Sequence, residues 1–288
     1  MTGPGGRDDE EVVQERHAFS AVDDAPDPAT LIANMDAADG DAAVRTLRAW
    51  TADALDLNKG ERLLDVGCGT GTAAIALSGR VGATGQVRGI DASALMIAEA
   101  ARRAAGRANI VFEVGDAAAL DFADGSFDAY RSERTLQWLG DPQRALSEAV
   151  RVVRQGGRIV VVDTDWGTLA LDYPDEELSR RYHAAPWPVP PNRWSGRRLL
   201  NQFREAGLQQ LDVAAETIVA TEWNPADAAG VPGLPPFVRQ AEGLHLLGFF
   251  SEEESARWLR TLQDQARQDR FFIAVTMFAV SGLKSGGA

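Results

Sequence analysis

One stretch constrains this chain more than any other: LLDVGCGTG, Leu63 to Gly71. An apolar run followed by three glycines in five residues calls for a tight turn that brings bare backbone close to a ligand. Such loops hold dinucleotides, phosphates or nucleosides. Here the spacing is GxGxG. A dinucleotide fingerprint is GxGxxG, with its last glycine where Thr72 stands, and a phosphate loop needs GK[ST], which is absent. The remaining ligand is a nucleoside without phosphates, whose carboxylate the amides of a helix N-terminus can cradle.

Around the loop the chain alternates short apolar runs with amphipathic stretches. ERLLDVG, QVRGID, IVFEVGD, SFDAYRS and RIVVVDTD read as five strands separated by helices. Ser93 stands as N-cap before ALMIAEAARRAA, and Asp141 as N-cap before Pro142, in a helix with Gly156 past its end. The pattern predicts an α/β, Rossmann-like doubly wound sheet, parallel with a C-terminal antiparallel strand. Apolar spacing over Leu31, Met35, Val44, Leu47, Trp50 and Leu55 predicts two helices broken near Gly40.

After Asp165 the prolines 174, 186, 188, 190 and 191 predict irregular chain up to Arg193. Ser195 is expected to cap a helix through Ala206. Leu211 to Ala220 and Arg270 to Val280 are expected as strands, and Ser251 with Glu254 forms a capping box. The expected organisation is a disordered stretch over 1–11, a helical lid over 12–57, a cofactor core over 58–165, cap segments with the last strands over 166–281, and a flexible tail over 282–288.

The second strand ends in Asp91, 20 residues after Gly71. A carboxylate there can accept two hydrogen bonds from a vicinal diol; the plainer role is an N-terminal helix acid beside Ser93. The third strand ends in Gly115-Asp116-Ala117, where an acid can accept an adenine amino group or simply cap a loop.

LLDVGCGTG, GID, GDA, SFDAYRSERTLQWL and ALSEAVRVVRQGGRIVVVD, in that order and spacing, resemble class I S-adenosylmethionine-dependent methyltransferases. The match runs from about Glu61 to Asp165, and the remainder is more loosely similar to small-molecule methyltransferases of bacterial specialised metabolism. The resemblance implies S-adenosyl-L-methionine as cofactor. It implies that Asp65, Gly67, Cys68, Gly69 and Gly71 line the methionine end, with Cys68 outside the chemistry. Asp91 would bind the ribose, Ala92 and Met96 would pack along ribose and adenine, and Gly115, Asp116 and Ala117 would meet the adenine edge. Arg131 and Ser132 would face the sulfonium end, with Gln137 and Trp138 behind them. One departure stands out: RSERTLQWL lacks the Asp-Pro-Pro-Tyr type motif of methyltransferases acting on DNA or protein amino groups, which turns expectation toward a small molecule.

Bulk properties agree with that expectation. The 288 residues carry a formal net charge of −13, which repels phosphate backbones and anionic lipid, so neither nucleic acid nor membrane is an expected partner. A single cysteine, Cys68, excludes an intramolecular disulfide. With no apolar signal core or long apolar run, a cytoplasmic protein is expected. The sequence leaves oligomeric state open, and no metal-ligand cluster stands out.

Candidate bases are His17, His183 and His245, all outside the core match. Candidate substrate residues are Phe19, Trp138, Trp166, Tyr182, Trp187, Trp194 and His245, because aromatic side chains build apolar pockets with polar handles. The expected reaction is methyl transfer to nitrogen, carbon or oxygen of a small, aromatic or heterocyclic metabolite, achieved mainly by alignment. Two alternatives stay open: an NAD-dependent oxidoreductase, and a non-methylating relative acting as cyclase or partner protein.

Overall fold

The computed structural model describes residues 23, 28–185, 190–226, 231–234 and 236–285. Two helices come first, α1 (Pro28–Asp39) and α2 (Ala42–Ala54), separated at Gly40 as the spacing predicts. Then β1 (Arg62–Val66), α3 (Thr72–Val81), β2 (Gln86–Asp91), α4 (Ala94–Arg103), β3 (Ile110–Val114) and β4 (Phe127–Glu133) alternate. A 3-10 turn over Leu136–Trp138 leads into α5 (Pro142–Val152) and β5 (Val153–Leu171). The remaining elements are α6 (Glu176–Ala184), α7 (Ser195–Glu205), β6 (Gln209–Ala220), α8 (Phe237–Leu246), α9 (Glu252–Arg267) and β7 (Ile273–Leu283).

The seven strands form one sheet in the order β3-β2-β1-β4-β5-β7-β6, six parallel and one antiparallel at the C-terminus, which is the Rossmann-like fold the alternation predicts. β1 is central and buried from Leu63 to Val66, since helices cover both faces of such a sheet. It runs in register with β2 on one side (Asp65 beside Gly89) and β4 on the other (Asp65 beside Arg131). The carboxyl ends of β1, β2 and β4 therefore converge where the strand order reverses, the place where doubly wound sheets bind ligands.

Local signals account for several helix starts. Ser93 Oγ accepts the Met96 amide, Asp141 accepts the Arg144 amide with Pro142 behind it, and Ser251 with Glu254 completes the capping box. Four expectations need correction. β5 does not stop at Asp165 but continues to Leu171, and α6 follows, so the stretch to Arg193 is less irregular than its prolines suggest. Asp175 caps α6 by accepting the amides of Glu177 and Leu178. Ser195 is the first residue of α7 and does not cap it; its hydroxyl is taken by Asp163. α5 ends at Val152, so Gly156 lies within β5, at a φ of +73°.

The chain divides into two compact units, with the boundaries 165/166, 216/217 and 276/277 falling inside β5, β6 and β7. One unit comprises 43–165, 194–216 and 277–288. Its sheet is packed on one face by Leu64, Tyr130, Leu146, Ile159 and Phe203, and on the other by Leu55, Leu63, Leu77, Val87 and Val160. The other comprises 1–42, 166–193 and 217–276 and has its own aromatic core. Trp258 is fully buried there, its ring 5.3 Å from Tyr182, 5.9 Å from Phe237 and 6.2 Å from Phe250. Truncating so large a buried side chain costs about 3–5 kcal/mol. Trp258→Ala should thus lower the urea midpoint of the aromatic unit, read by residual tryptophan fluorescence; an unchanged midpoint would show that this core does not hold the unit together.

Candidate cofactor site

The loop from Gly67 to Gly71 rises from the end of β1 into α3. Gly67, Gly69 and Gly71 have φ of +70°, +52° and +80°, a region that side chains strain to enter. Space makes the same demand. A Cβ on Gly67 would collide with the Thr135 side chain, and one on Gly71 would meet Phe112 Cζ at 2.7 Å. The turn is closed by the Gly67 and Cys68 amides donating to Ile90 O at 2.7 and 3.0 Å, which ties β1's end to β2's end. No side chain caps α3, whose N-cap is Gly71. The first amides of a helix have no intrahelical partners, so this end is suited to an anion.

Asp91 stands beside that loop. Its Oδ2 accepts the Gly69 amide at 2.9 Å and its Oδ1 the Ser93 amide at 3.0 Å. Both oxygens are thus aimed by backbone. Met96 is buried and Ala92 exposed. On the next strand end Gly115 is half-buried, Ala117 is buried, and the exposed Asp116 accepts the Ala118 amide at 2.8 Å in a turn of its own. Cys68 is buried; burial first, then the charges of Asp65 and Asp91, push its thiol well above the ordinary range, so it holds its proton.

At the carboxyl end of β4 the charges are buried. Arg131 Nη1 donates to Asp65 Oδ1 at 2.8 Å, and its Nη2 donates to Glu133. Burial pushes the Asp65 carboxyl up, and the Arg131 charge works against it. Burial would raise Glu133 as well, but Arg48, Arg131 and Arg134 outweigh it and hold Glu133 well below the usual carboxylate range. Ser132 and Gln137 are buried beside this strand end, and Trp138 is half-buried in the 3-10 turn.

The structure thus gathers Asp65, Gly67, Gly69, Gly71, Asp91, Arg131 and Ser132 at the ends of three adjacent strands. It places other candidates elsewhere. Trp166 and Tyr182 are buried in the aromatic unit, where Tyr182 Oη donates to Gln240 Oε1 at 2.9 Å. Trp194 is exposed, with the Arg198 guanidinium over its ring. His245 is exposed, and its Nδ1 lies 3.3 Å from Phe250 O. His183 is half-buried against Tyr182; burial, then the Arg193 charge, lower its pKa. His17, Phe19 and Trp187 lie outside the described residues.

Three residues escaped sequence reasoning. Thr135 covers Gly67 and donates to Glu133 O at 3.1 Å. Arg48 joins Glu133 from α2. Asp163, midway along β5, accepts the Ser195 hydroxyl at 2.6 Å. Among the described residues no group of three or more His, Cys, Asp or Glu side chains is placed to hold a metal ion, and no helix is long and apolar enough to cross a membrane.

Comparison with known proteins decides what the loop belongs to. Residues 64–161 match the family model described as a methyltransferase domain. An uncharacterised 37.1 kDa protein of a Streptomyces fradiae transposon is 38% identical over 263 residues, covering 91% of this chain and 72% of that protein. The chain belongs to the class I S-adenosylmethionine-dependent methyltransferase family. A demethylmenaquinone methyltransferase of Staphylococcus aureus is 41% identical over 117 residues, 41% of this chain and 48% of that protein, so the chain spans about half the length of that relative. The YcgJ protein of Bacillus subtilis has a similar fold, with a TM-score of 0.56 at 22% identity, covering 83% of this chain and 98% of that one.

The family's cofactor is S-adenosylmethionine, and the residues of this methyltransferase fit it. Gly67 and Gly71 leave no room for side chains, the start of α3 lacks a side-chain cap, and Asp65 Oδ2 is buried without a hydrogen-bond partner among the described residues. A small group bearing a carboxylate and an ammonium matches those features.

Asp163 provides a pH test of this end of the sheet. Burial raises its carboxyl to about 7, against the Ser195 hydroxyl, the Gln137 and Thr135 amides and the Arg134 charge. A carboxyl raised in the fold stabilises most when protonated, and that contribution is lost as pH rises toward its folded value. The stability difference between wild type and Asp163→Asn should therefore shrink from pH 4 to about 7 and then stay flat, measured by urea unfolding across pH. A difference independent of pH would refute the assignment.

Proposed function

We propose that this protein transfers the methyl group of S-adenosylmethionine to nitrogen, carbon or oxygen of a small, aromatic or heterocyclic metabolite. The observation that carries the cofactor half is the cradle of Gly67, Gly69 and Gly71 with the backbone-aimed Asp91 carboxylate beside it. The acceptor half rests on the absence from RSERTLQWL of an Asp-Pro-Pro-Tyr type motif and on a net charge that disfavours polyanions. Among related proteins, one acts on demethylmenaquinone; because the chain spans about half of that protein, its acceptor is not carried over. Assignment to bacterial specialised metabolism and to the cytoplasm belongs to the same proposal, as does the lid expected over 12–57.

When bound, S-adenosylmethionine supplies a methyl group activated on a sulfonium. The work left to this chain is binding and aiming. The loop amides and the open end of α3 would take the carboxylate, Asp65 the ammonium, and Asp91 the ribose hydroxyls. Ala92 and Met96 would lie along ribose and adenine, and Asp116 and Ala117 at the adenine edge. Arg131 is engaged with Asp65 and Glu133, so in this reading it acts on the methionine end through Asp65. Ser132, Gln137 and Trp138 would border the acceptor. A general base is an addition to that machinery rather than its centre, since an amine or enamine carbon needs none.

Two measurements test this reading. Incubation of the protein with methyl-labelled S-adenosylmethionine and a panel of aromatic and heterocyclic metabolites should yield labelled product by mass spectrometry. Cofactor binding with no labelled product from any acceptor class would favour the non-methylating alternative, and stabilisation by NADH alone would favour the oxidoreductase. With a working acceptor, His183→Asn and His245→Asn should each keep kcat within about tenfold of wild type. A loss of about 100-fold or more in either would instead make that histidine the general base.

A further inference from the structure

Charges of alternating sign run from β1 into α2. Asp65 Oδ1 accepts from Arg131 Nη1 at 2.8 Å, and the other arm of Arg131 reaches Glu133. Glu133 in turn accepts a forked pair from Arg48: Nε to Oε2 at 3.0 Å and Nη2 to Oε1 at 2.8 Å. Arg134 Nη2 approaches the same Oε1 at 3.4 Å. The side chains of Asp65, Arg131 and Glu133 are 1, 3 and 7% exposed and that of Arg48 is 21% exposed, so solvent screens these pairs little.

The sheet explains how they meet. Asp65 and Arg131 are register neighbours on adjacent strands, and Glu133 lies two residues on from Arg131, on the same face. That face carries Leu63, Ala129 and Val160, in one cluster with Leu55 just after α2 and with the partly buried Trp50. α2 therefore lies over this face through apolar packing, and Arg48 adds a charged tie at the end nearest the glycine loop.

Stability alone is a poor reason for such a network, because apolar residues of similar volume usually hold a fold as well or better. The chain of charges ends on an atom that points to a ligand: Asp65 Oδ2, buried, without a hydrogen-bond partner among the described residues, two residues before Gly67. We propose that Arg48 and Glu133 are positioning residues. They fix the Arg131 guanidinium, which fixes the Asp65 carboxylate, so that docking of α2 and cofactor binding at the loop share one equilibrium. This rests on the cofactor reading above. Coupling of this kind is reciprocal: whatever α2 docking contributes to cofactor affinity, the bound cofactor returns to α2 docking.

The test uses the full chain and S-adenosylhomocysteine, with isothermal titration for affinity and hydrogen exchange of residues 42–54 for α2. In wild type the ligand should slow exchange across α2. Glu133→Gln and Arg48→Met should each weaken binding about tenfold or more and abolish that slowing. In an Asp65→Asn background, Arg48→Met should add little, because the chain of contacts is already cut. Arg48→Lys, which keeps the charge, should recover part of the affinity. Should Glu133→Gln fail to fold, the Arg48 variants, altered on a part-exposed helix, carry the test. A folded Arg48→Met that binds within about twofold of wild type, or whose effect is fully additive with Asp65→Asn, overturns this proposal and leaves the cofactor reading intact. A wild type that binds no S-adenosylhomocysteine overturns both.

Discussion

The contact between Asp65 and Arg131 is the interaction on which the site depends. These residues are buried neighbours across β1 and β4, Asp65 standing two residues before Gly67 opens the glycine loop. A lone buried carboxylate there would be expensive, and so would a lone guanidinium. Paired, they let the centre of a parallel sheet end in charge rather than in aliphatic packing. One carboxylate oxygen is left over, and a loop of bare amides begins two residues later. The proposed recognition of the cofactor rests on that juxtaposition.

The loop itself is shaped by what presses on it. Thr135 sits over Gly67, Phe112 over Gly71, and the carbonyl of Ile90 receives two loop amides. Each contact comes from a different strand end, so the cradle is assembled by β1, β2, β3 and β4 together and would not survive as an isolated turn. Asp163 extends the same logic one strand further, since its carboxyl holds the start of α7 through Ser195. Gly196 is needed there because a Cβ would meet the Asp163 carbonyl at 2.9 Å.

Sequence rules read well wherever the deciding partner is close along the chain. The caps at Ser93, Asp141 and Ser251 and the break at Gly40 rest on partners within a few residues, and all are present; the glycine turn is legible for another reason, since its own spacing marks it even though its partners are distant. The rules failed where the partner is distant. Ser195 reads as a cap, yet its hydroxyl is claimed by Asp163, 32 residues away. β5 outruns the prolines because its apolar positions to Leu171 find a core of their own in Trp258 and its neighbours. Arg48 and Glu133, 85 residues apart, carry no local mark of their pairing; the sequence shows only that β4, FDAYRSE, ends in Arg131 and Glu133. The glycine turn and its flanking acids were therefore legible, and the aromatic core around Trp258 was not, because residues brought together from distant parts of the chain have no spacing to read.

The most direct test of the account is a crystal structure grown with S-adenosylhomocysteine. The amino-acid end should lie against the Gly67–Gly71 loop, with its ammonium at Asp65 Oδ2, and the ribose hydroxyls on Asp91. A ligand bound with its adenine or ribose in the glycine loop, or away from the ends of β1 and β2, would contradict it.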